Sequence, residues 1–314
     1  MTIRWDDATG RLLMTADDGA SPCSLLIRAQ VLKPEYPDTP STLSSLASLL
    51  HGAGDYEGAE PLYRNALAYE EGLDEPEGSR ETATICSDLA TLLWDSGDSV
   101  GAERLYRRAL EIGERLYGTE SSQLTLILRN LGALLRQLER FEEAEEVLRR
   151  GLNINFVFAG DSDPDTIASM DNLGDVLEAK GDIIAMSEMR HRQLAALEST
   201  EGPDSEEVLR VMQNLAVKLR DAGHLDEAEP LQREATRRFM HVYGEDSVEA
   251  ATTYSAMGEL LRLKGDLTGA EGLYRRALAI RELELGPSAE ATDLVRGRLE
   301  KLLAKRGSSI QSRA

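Results

Sequence analysis

One alanine returns along this chain at steps of 42 or 43 residues: Ala59, Ala102, Ala144, then Met186 in its place, then Ala228 and Ala270. Self-similarity at such a period marks a chain built from stacked copies of one supersecondary unit, because a single unit cannot bury its apolar face until a neighbour covers it. A solenoid of this kind grows by addition. The 314 residues therefore need no second core, and function belongs to surfaces that several units share.

Each unit reads as two helices. The first carries apolar residues at spacings of three and four, which fall on one helical face: Leu128, Leu131 and Leu135 in the third unit, Met170, Leu173 and Leu177 in the fourth, Met212, Leu215 and Leu219 in the fifth. Directly after the middle apolar residue comes a small one in every unit, Ala47, Ala90, Gly132, Gly174, Ala216 and Gly258, so the second helix can approach closely. A turn follows, written Gly54-Asp55, Gly97-Asp98, Gly181-Asp182, Gly223-His224 and Gly265-Asp266, with Glu139-Arg140 as the departure. Glycine accepts the left-handed conformation that ends a helix, and aspartate caps the next. The second helix opens with Ala-Glu and runs on as Leu-Tyr-Arg-Arg-Ala-Leu, complete at 105–110 and 273–278. In the fourth unit Met186, Arg190 and Gln193 replace Ala, Tyr or Leu, and Ala, so its second helix is expected to pack loosely or to turn a different face.

The small residue, the alanine twelve positions on and the Gly-Asp turn between them resemble the tetratricopeptide repeat. The longer period, with Asn214-Leu215-Ala216 and the strings 102–112 and 270–280, is similar to the repeats of the kinesin light chain. No long heptad segment of the kind that would join a heavy chain is visible. The resemblance covers about residues 38–286 and implies an all-α fold, a right-handed superhelical solenoid of stacked antiparallel helix pairs whose first helices line a concave groove.

The ends depart from the repeat. Residues 1–21 form an N-terminal extension in which 3–5 and 12–14 flank Asp6-Asp7-Ala8-Thr9-Gly10 and read as a short hairpin. Residues 22–37 read as a partial repeat helix, with Leu25, Ile27 and Val31 in register with Leu110, Ile112 and Leu116. After six repeats over 38–286, residues 287–307 read as a capping helix in which Glu300 stands where a small residue would admit another neighbour, and 308–314 as a flexible tail.

A formal charge of −21 repels phosphate backbones and anionic lipid, so nucleic acid and membrane are not expected partners. Two cysteines, Cys23 and Cys86, are too few for a disulfide framework and fit a reduced cytoplasmic setting. The first residues are acidic where a signal peptide needs basic ones. Four histidines sit in different units without metal-ligand spacing, and no phosphate loop, nucleophile elbow or Cys-His pairing is present. The chain reads as no enzyme, with no cofactor and no metal.

Recognition remains. Immediately before the middle apolar residue stand Ser45, Asp88, Asn130, Asn172, Asn214 and Ala256. An asparagine amide offers a donor and an acceptor together, which is what the backbone of an extended peptide requires. The resemblance assigns Asn130, Asn172 and Asn214 contacts to a ligand's backbone or terminal carboxylate; on the residues alone, bonds among themselves or to a neighbouring turn are equally open. One turn further stand His51, Trp94, Arg136, Glu178, Arg220 and Arg262, and Arg129 flanks the first asparagine. The three arginines suit acidic groups and Trp94 an apolar side chain, with ion pairing inside the protein as the alternative. The expected function is a protein-interaction scaffold holding an extended peptide or partner segment. The rival is a regulatory or sensor module acting with a separate NTPase, protease or transcription regulator. Oligomeric state is left open.

Overall fold

The computed structural model describes residues 2–6, 11–15, 27–28, 40–73 and 78–311, with side chains over 40–73 and 78–306. Strand β1 (Thr2–Asp6) pairs antiparallel with β2 (Arg11–Thr15), placing Trp5 opposite Leu12. A two-residue strand, β3 (Ile27–Arg28), adds to the other edge of β2. Extended backbone at Ile27 departs from the helix expected over 22–37: its amides and carbonyls are drawn to the open edge of β2, and a β-branched residue suits that edge. The rest of 22–37 lies outside the described residues.

All remaining regular structure among the described residues is helical, in two compact units that divide after Phe158. The first unit contains α1 (Pro40–Gly52) and α2 (Tyr56–Glu71), α3 (Arg80–Asp95) and α4 (Ser99–Tyr117), then α5 (Thr125–Gln137) and α6 (Phe141–Ala159). The second contains α7 (Pro164–Lys180) and α8 (Ile183–Glu201), α9 (Glu206–Asp221) and α10 (Leu225–Tyr243), α11 (Val248–Lys264) and α12 (Leu267–Glu284), and α13 (Glu290–Gln311). Helix α13 continues to Gln311, past the expected end at 307: neither Gly307 nor the serines after it supply a left-handed stop.

The hairpin turns follow from their residues. Gly54, Gly97, Gly181, Gly223 and Gly265 all have φ between 77° and 97°. Asp55, Asp98, Asp182 and Asp266 each accept a bond from the amide three residues on, at 2.9–3.1 Å. His224 makes no such cap, and Glu139 adopts φ 58° without being glycine. A second family of turns, between hairpins, escaped the sequence reading although it has the same period. Gly118, Gly160, Gly202 and Gly244 have positive φ, and three residues later Ser121, Asp163, Ser205 and Ser247 cap the next helical turn.

The doubled arginine of the second helix divides two tasks. The first pairs with the glutamate of its own helix one turn back: Arg64–Glu60, Arg107–Glu103, Arg149–Glu145, Arg233–Glu229 and Arg275–Glu271. The second reaches back toward the preceding hairpin: Arg108–Glu71, Arg150–Glu114, Arg192–Asp161 and Arg276–Glu245. Ion pairs that bridge hairpins add to the apolar stacking that holds a repeat array together.

Candidate binding surface

The seam inside each hairpin sets the polar surface. Tyr63, Tyr106 and Tyr274 are buried against the small positions, and at Gly258 a Cβ would stand 3.0 Å from Tyr274. Their hydroxyls emerge beside the residue that follows the small one. Tyr106 bonds Thr91 at 2.8 Å, Tyr274 donates to Glu259, and Tyr63 bonds Ser48. Burial and the nearby Asp88 push the Tyr63 hydroxyl up to about 12, the Ser48 bond opposing them. Where tyrosine is absent other chemistry fills the place: Leu148 in α6, and Gln232 in α10 through a reciprocal amide pair with Gln213 at 3.0 and 3.1 Å.

Arg190 holds this position in α8, and the fourth hairpin is not loose. Met186 and Gln193 are buried, and the Arg190 guanidinium lies between Asp171 and Asp175 of α7 while donating to Gln193 Oε1 at 2.8 Å. Gln193 Nε2 donates in turn to Asp171 at 3.1 Å. Burial alone would raise the Asp171 carboxyl; the bonds from Gln193 and Arg190 hold it below its usual range. Paired carboxylates on α7 thus replace the apolar fit that Tyr makes elsewhere, which is why a polar substitution does not open the seam. The signal lay in the sequence as an arginine at the tyrosine register facing two aspartates one turn apart.

In each unit a groove between neighbouring first helices adjoins this seam. In the first unit α1 and α3 enclose about 630 Å³ lined by Ser44, Ser45, Ser48, Thr84 and Asp88, with Leu49 and Ile85. Ser44 Oγ is buried there and has no hydrogen-bond partner among the described residues. Burial pushes the Asp88 carboxyl above its usual range, His51 pulling the other way. In the second unit α7 and α9 enclose about 280 Å³, with Asp171, Glu178, Arg190, Asn214 and Lys218 on its walls.

The three asparagines have different surroundings. Asn130, half-buried in the first unit, hydrogen-bonds the Tyr106 hydroxyl. Asn172, half-buried in the second, donates to Ala168 O of its own helix at 3.1 Å. Asn214 is exposed on the α7/α9 groove and makes no hydrogen bond among the described residues. Trp94 donates Nε1 to Gln137 Oε1 at 2.7 Å, one repeat along, and at the same register His51 bonds Asp95 at 2.7 Å and Lys218 pairs with Glu178. Arg220 is engaged by Asp221 and Arg262 by Glu259, each within its own helix. Arg136 is exposed, and Arg129 half-exposed beside Asn130. The lysine bridging Glu178 was missed by sequence reading, although its spacing of forty residues is close to one repeat.

No group of three or more potential metal ligands is present among the described residues, and no described helix is long and apolar enough to cross a membrane. Cys86 is buried, and burial pushes its thiol up to about 11; Cys23 lies outside the described residues.

Known proteins place this architecture. Tetratricopeptide-repeat family models match residues 42–75, 81–155, 165–241 and 219–283. A comparison with curated proteins finds no match. Among solved structures, the nearly identical TPR-like repeats of a Podosopora anserina kinesin-light-chain protein align at 18% identity over 67% of this chain and 99% of theirs, with a TM-score of 0.58. BtubC (BKLC) from P. vanneervenii aligns at 21% identity over 74% of this chain and 92% of its own, TM-score 0.54. PilW, a type IV pilus biogenesis factor, aligns at 18% identity over 82% of this chain and 97% of its own, TM-score 0.52. Identities this low carry the fold and no partner. With six helix hairpins among the described residues, five of them turning on glycine, and family matches spanning most of its length, the chain belongs to the tetratricopeptide-repeat family.

Proposed function

We propose that the chain is a non-enzymatic protein-binding scaffold of the cytoplasm that holds an extended segment of a partner against its first helices. The α7/α9 groove carries this reading. Its charges are already paired, Arg190 with Asp171 and Asp175 and Lys218 with Glu178, so they form a fixed polar wall, while Asn214 keeps an uncommitted amide at the opening. A peptide backbone presents the matching donor and acceptor. In the first unit the Ser44 hydroxyl, without a partner among the described residues, and the serines around it favour the same kind of ligand. The low cysteine count supports the cytoplasmic setting.

Affinity capture from the native host tests the reading, with Asn214→Ala alone and with Asn130→Ala/Asn172→Ala/Asn214→Ala as comparisons. A captured protein lost in both variants supports backbone capture by asparagine. Undiminished capture by the triple variant overturns it.

A further inference from the structure

The chain carries a net charge of −21, yet on α13 two lysines, Lys301 and Lys305, stand without an ion-pair partner among the described residues. Between α11 and α13 lies a groove of about 590 Å³ whose walls include Glu259, Arg262, Asp293, Leu294, Arg298, Lys301 and Lys305. Both of its acids are engaged. Glu259 accepts Arg262 Nε at 2.9 Å and Nη2 at 2.6 Å and also the Tyr274 hydroxyl, and Asp293 is held by Arg296. Arg298 hydrogen-bonds a neutral partner, Ser255 Oγ at 3.0 Å, and its charge helps hold the Glu259 carboxyl low, while neither Lys301 nor Lys305 has an ion-pair partner among the described residues. Nearby Arg281 is buried and, among the described residues, bonded to neutral oxygens, Ala291 O at 2.7 Å and Thr252 Oγ1 at 3.0 Å, and its charge and that of Arg298 repel. Cations crowded in this way lower the local energy of an anion. The other grooves differ: the α7/α9 wall sets three acids against three bases, and the α1/α3 wall has Arg80 against Glu81 and Asp88.

The geometry is that of a ruler. Positions 298, 301 and 305 share one face of the helix and span about 10 Å of its axis. Alternate side chains of an extended peptide lie about 6.6 Å apart, so acidic residues at every second position can meet this row. Leu294, one turn before Arg298, is 55% exposed and offers an apolar stop at the end of the row.

We propose that the α11/α13 groove docks an extended acidic segment of a partner protein, its alternate carboxylates against Arg298, Lys301 and Lys305 and an apolar residue on Leu294. The inference rests on the chain being a protein-binding scaffold, but it places the ligand on a helix beyond residue 283, where the family matches end.

The probe is a fluorescein-labelled Leu-Glu-Ser-Glu-Ser-Glu peptide, titrated with the full chain at low and moderate salt and followed by anisotropy, beside the same peptide with Gln for Glu. Binding of the Glu form alone is expected, weakening with salt and falling about tenfold or more in Lys301→Glu/Lys305→Glu, while Arg64→Glu, a charge change on the exposed face of α2, leaves it unchanged; Asn214→Ala is titrated beside them. Both lysines are exposed, and circular dichroism checks that the variant is folded. No binding, equal binding of the two peptides, or an unmoved double variant overturns the proposal. Loss in Asn214→Ala with the double variant unaffected places the peptide in the α7/α9 groove, which sinks this inference and leaves the scaffold reading standing. A change of oligomeric state in sedimentation in place of a change in peptide affinity assigns the face to a second copy, and also overturns it.

Discussion

Arg190 lies so close to Gly174 that a Cβ on the glycine would stand 2.8 Å from the arginine Nε and 2.9 Å from its Cζ. The hairpin of α7 and α8 is therefore closed by a charged side chain against bare backbone, where three others in this chain set tyrosine, one leucine and one glutamine against alanine or glycine. The guanidinium cannot step back, because Asp171 and Asp175 hold it from two sides.

Gly174→Ala is accordingly expected to destabilise. Alanine gains about 1 kcal/mol of helix propensity, while overpacking a close contact costs about 1–3 kcal/mol, so the balance is a net loss of about 1 kcal/mol. Gly272 in α12 has no heavy atom within 4 Å of its Cβ position and provides the contrast: there the same substitution should stabilise by up to about 1 kcal/mol. Urea unfolding of both variants gives the signs; a stabilised Gly174→Ala would show that Arg190 repacks freely.

Much of this arrangement is legible in the chain itself. The buried tyrosines, the small residues they face and the Gly-Asp turns are local patterns of fixed spacing, and each occupies the place its spacing implies. Arg190 shows as a closing residue only when α7 and α8 are read together, because its compensation sits 15 and 19 residues earlier, on the facing helix. Sequence spacing on one helix does not display a partner on another. The surface is harder still. Arg262 and Arg220 sit at a groove register yet turn to acids three residues and one residue away in their own helices, a choice made by side-chain torsions that position alone leaves open. Asn130 and Asn214 occupy equivalent places, and only the tyrosine in the preceding second helix separates their roles.

The third hairpin turn holds a correctable strain. Glu139 sits at φ 58°, where the other hairpin turns have glycine, and a side chain in the left-handed region costs about 1–2 kcal/mol. Glycine gives back about 0.5–1 kcal/mol through the greater freedom of the unfolded chain. Glu139→Gly should therefore raise stability by up to about 1 kcal/mol, read as a higher thermal midpoint. A lower midpoint would mean that the glutamate side chain contributes more than its backbone strain removes.

Glu259 supplies a pH dependence of definite sign. Bonds from Arg262, opposed by burial and helped by the Tyr274 hydroxyl, pull its carboxyl from the ordinary 4.5 down to about 2. A depressed carboxyl contributes stability in full above its unfolded value and loses it as pH falls through the folded one. The contribution is about 2 kcal/mol after allowance for solvent screening. Stability of Glu259→Gln should thus fall short of wild type at pH 6–7, converge on it between about pH 4.5 and 2, and match it below. Parallel curves across that window would exclude the Arg262–Glu259 pair as the cause.

Arg149 and Arg150 are neighbours in sequence with unlike tasks. Arg149 pairs with Glu145 on its own exposed helix face, an interaction worth about 0.3–0.5 kcal/mol. Arg150 reaches Glu114 at the end of α4 and also donates to Thr119 O in the turn between hairpins, so its loss strips a carboxylate and a carbonyl at once. Arg150→Met keeps the aliphatic stem over the seam and removes only these polar contacts; it should cost about 1–2 kcal/mol, several times the effect of Arg149→Met. The more specific expectation concerns place. Amides of the 118–125 segment, which include those capped by Ser121, should exchange faster with deuterium in Arg150→Met while those of α3 stay protected. Exchange that rises evenly over α3 to α6 would show that the arginine supports the unit as a whole and is no local clasp between consecutive hairpins.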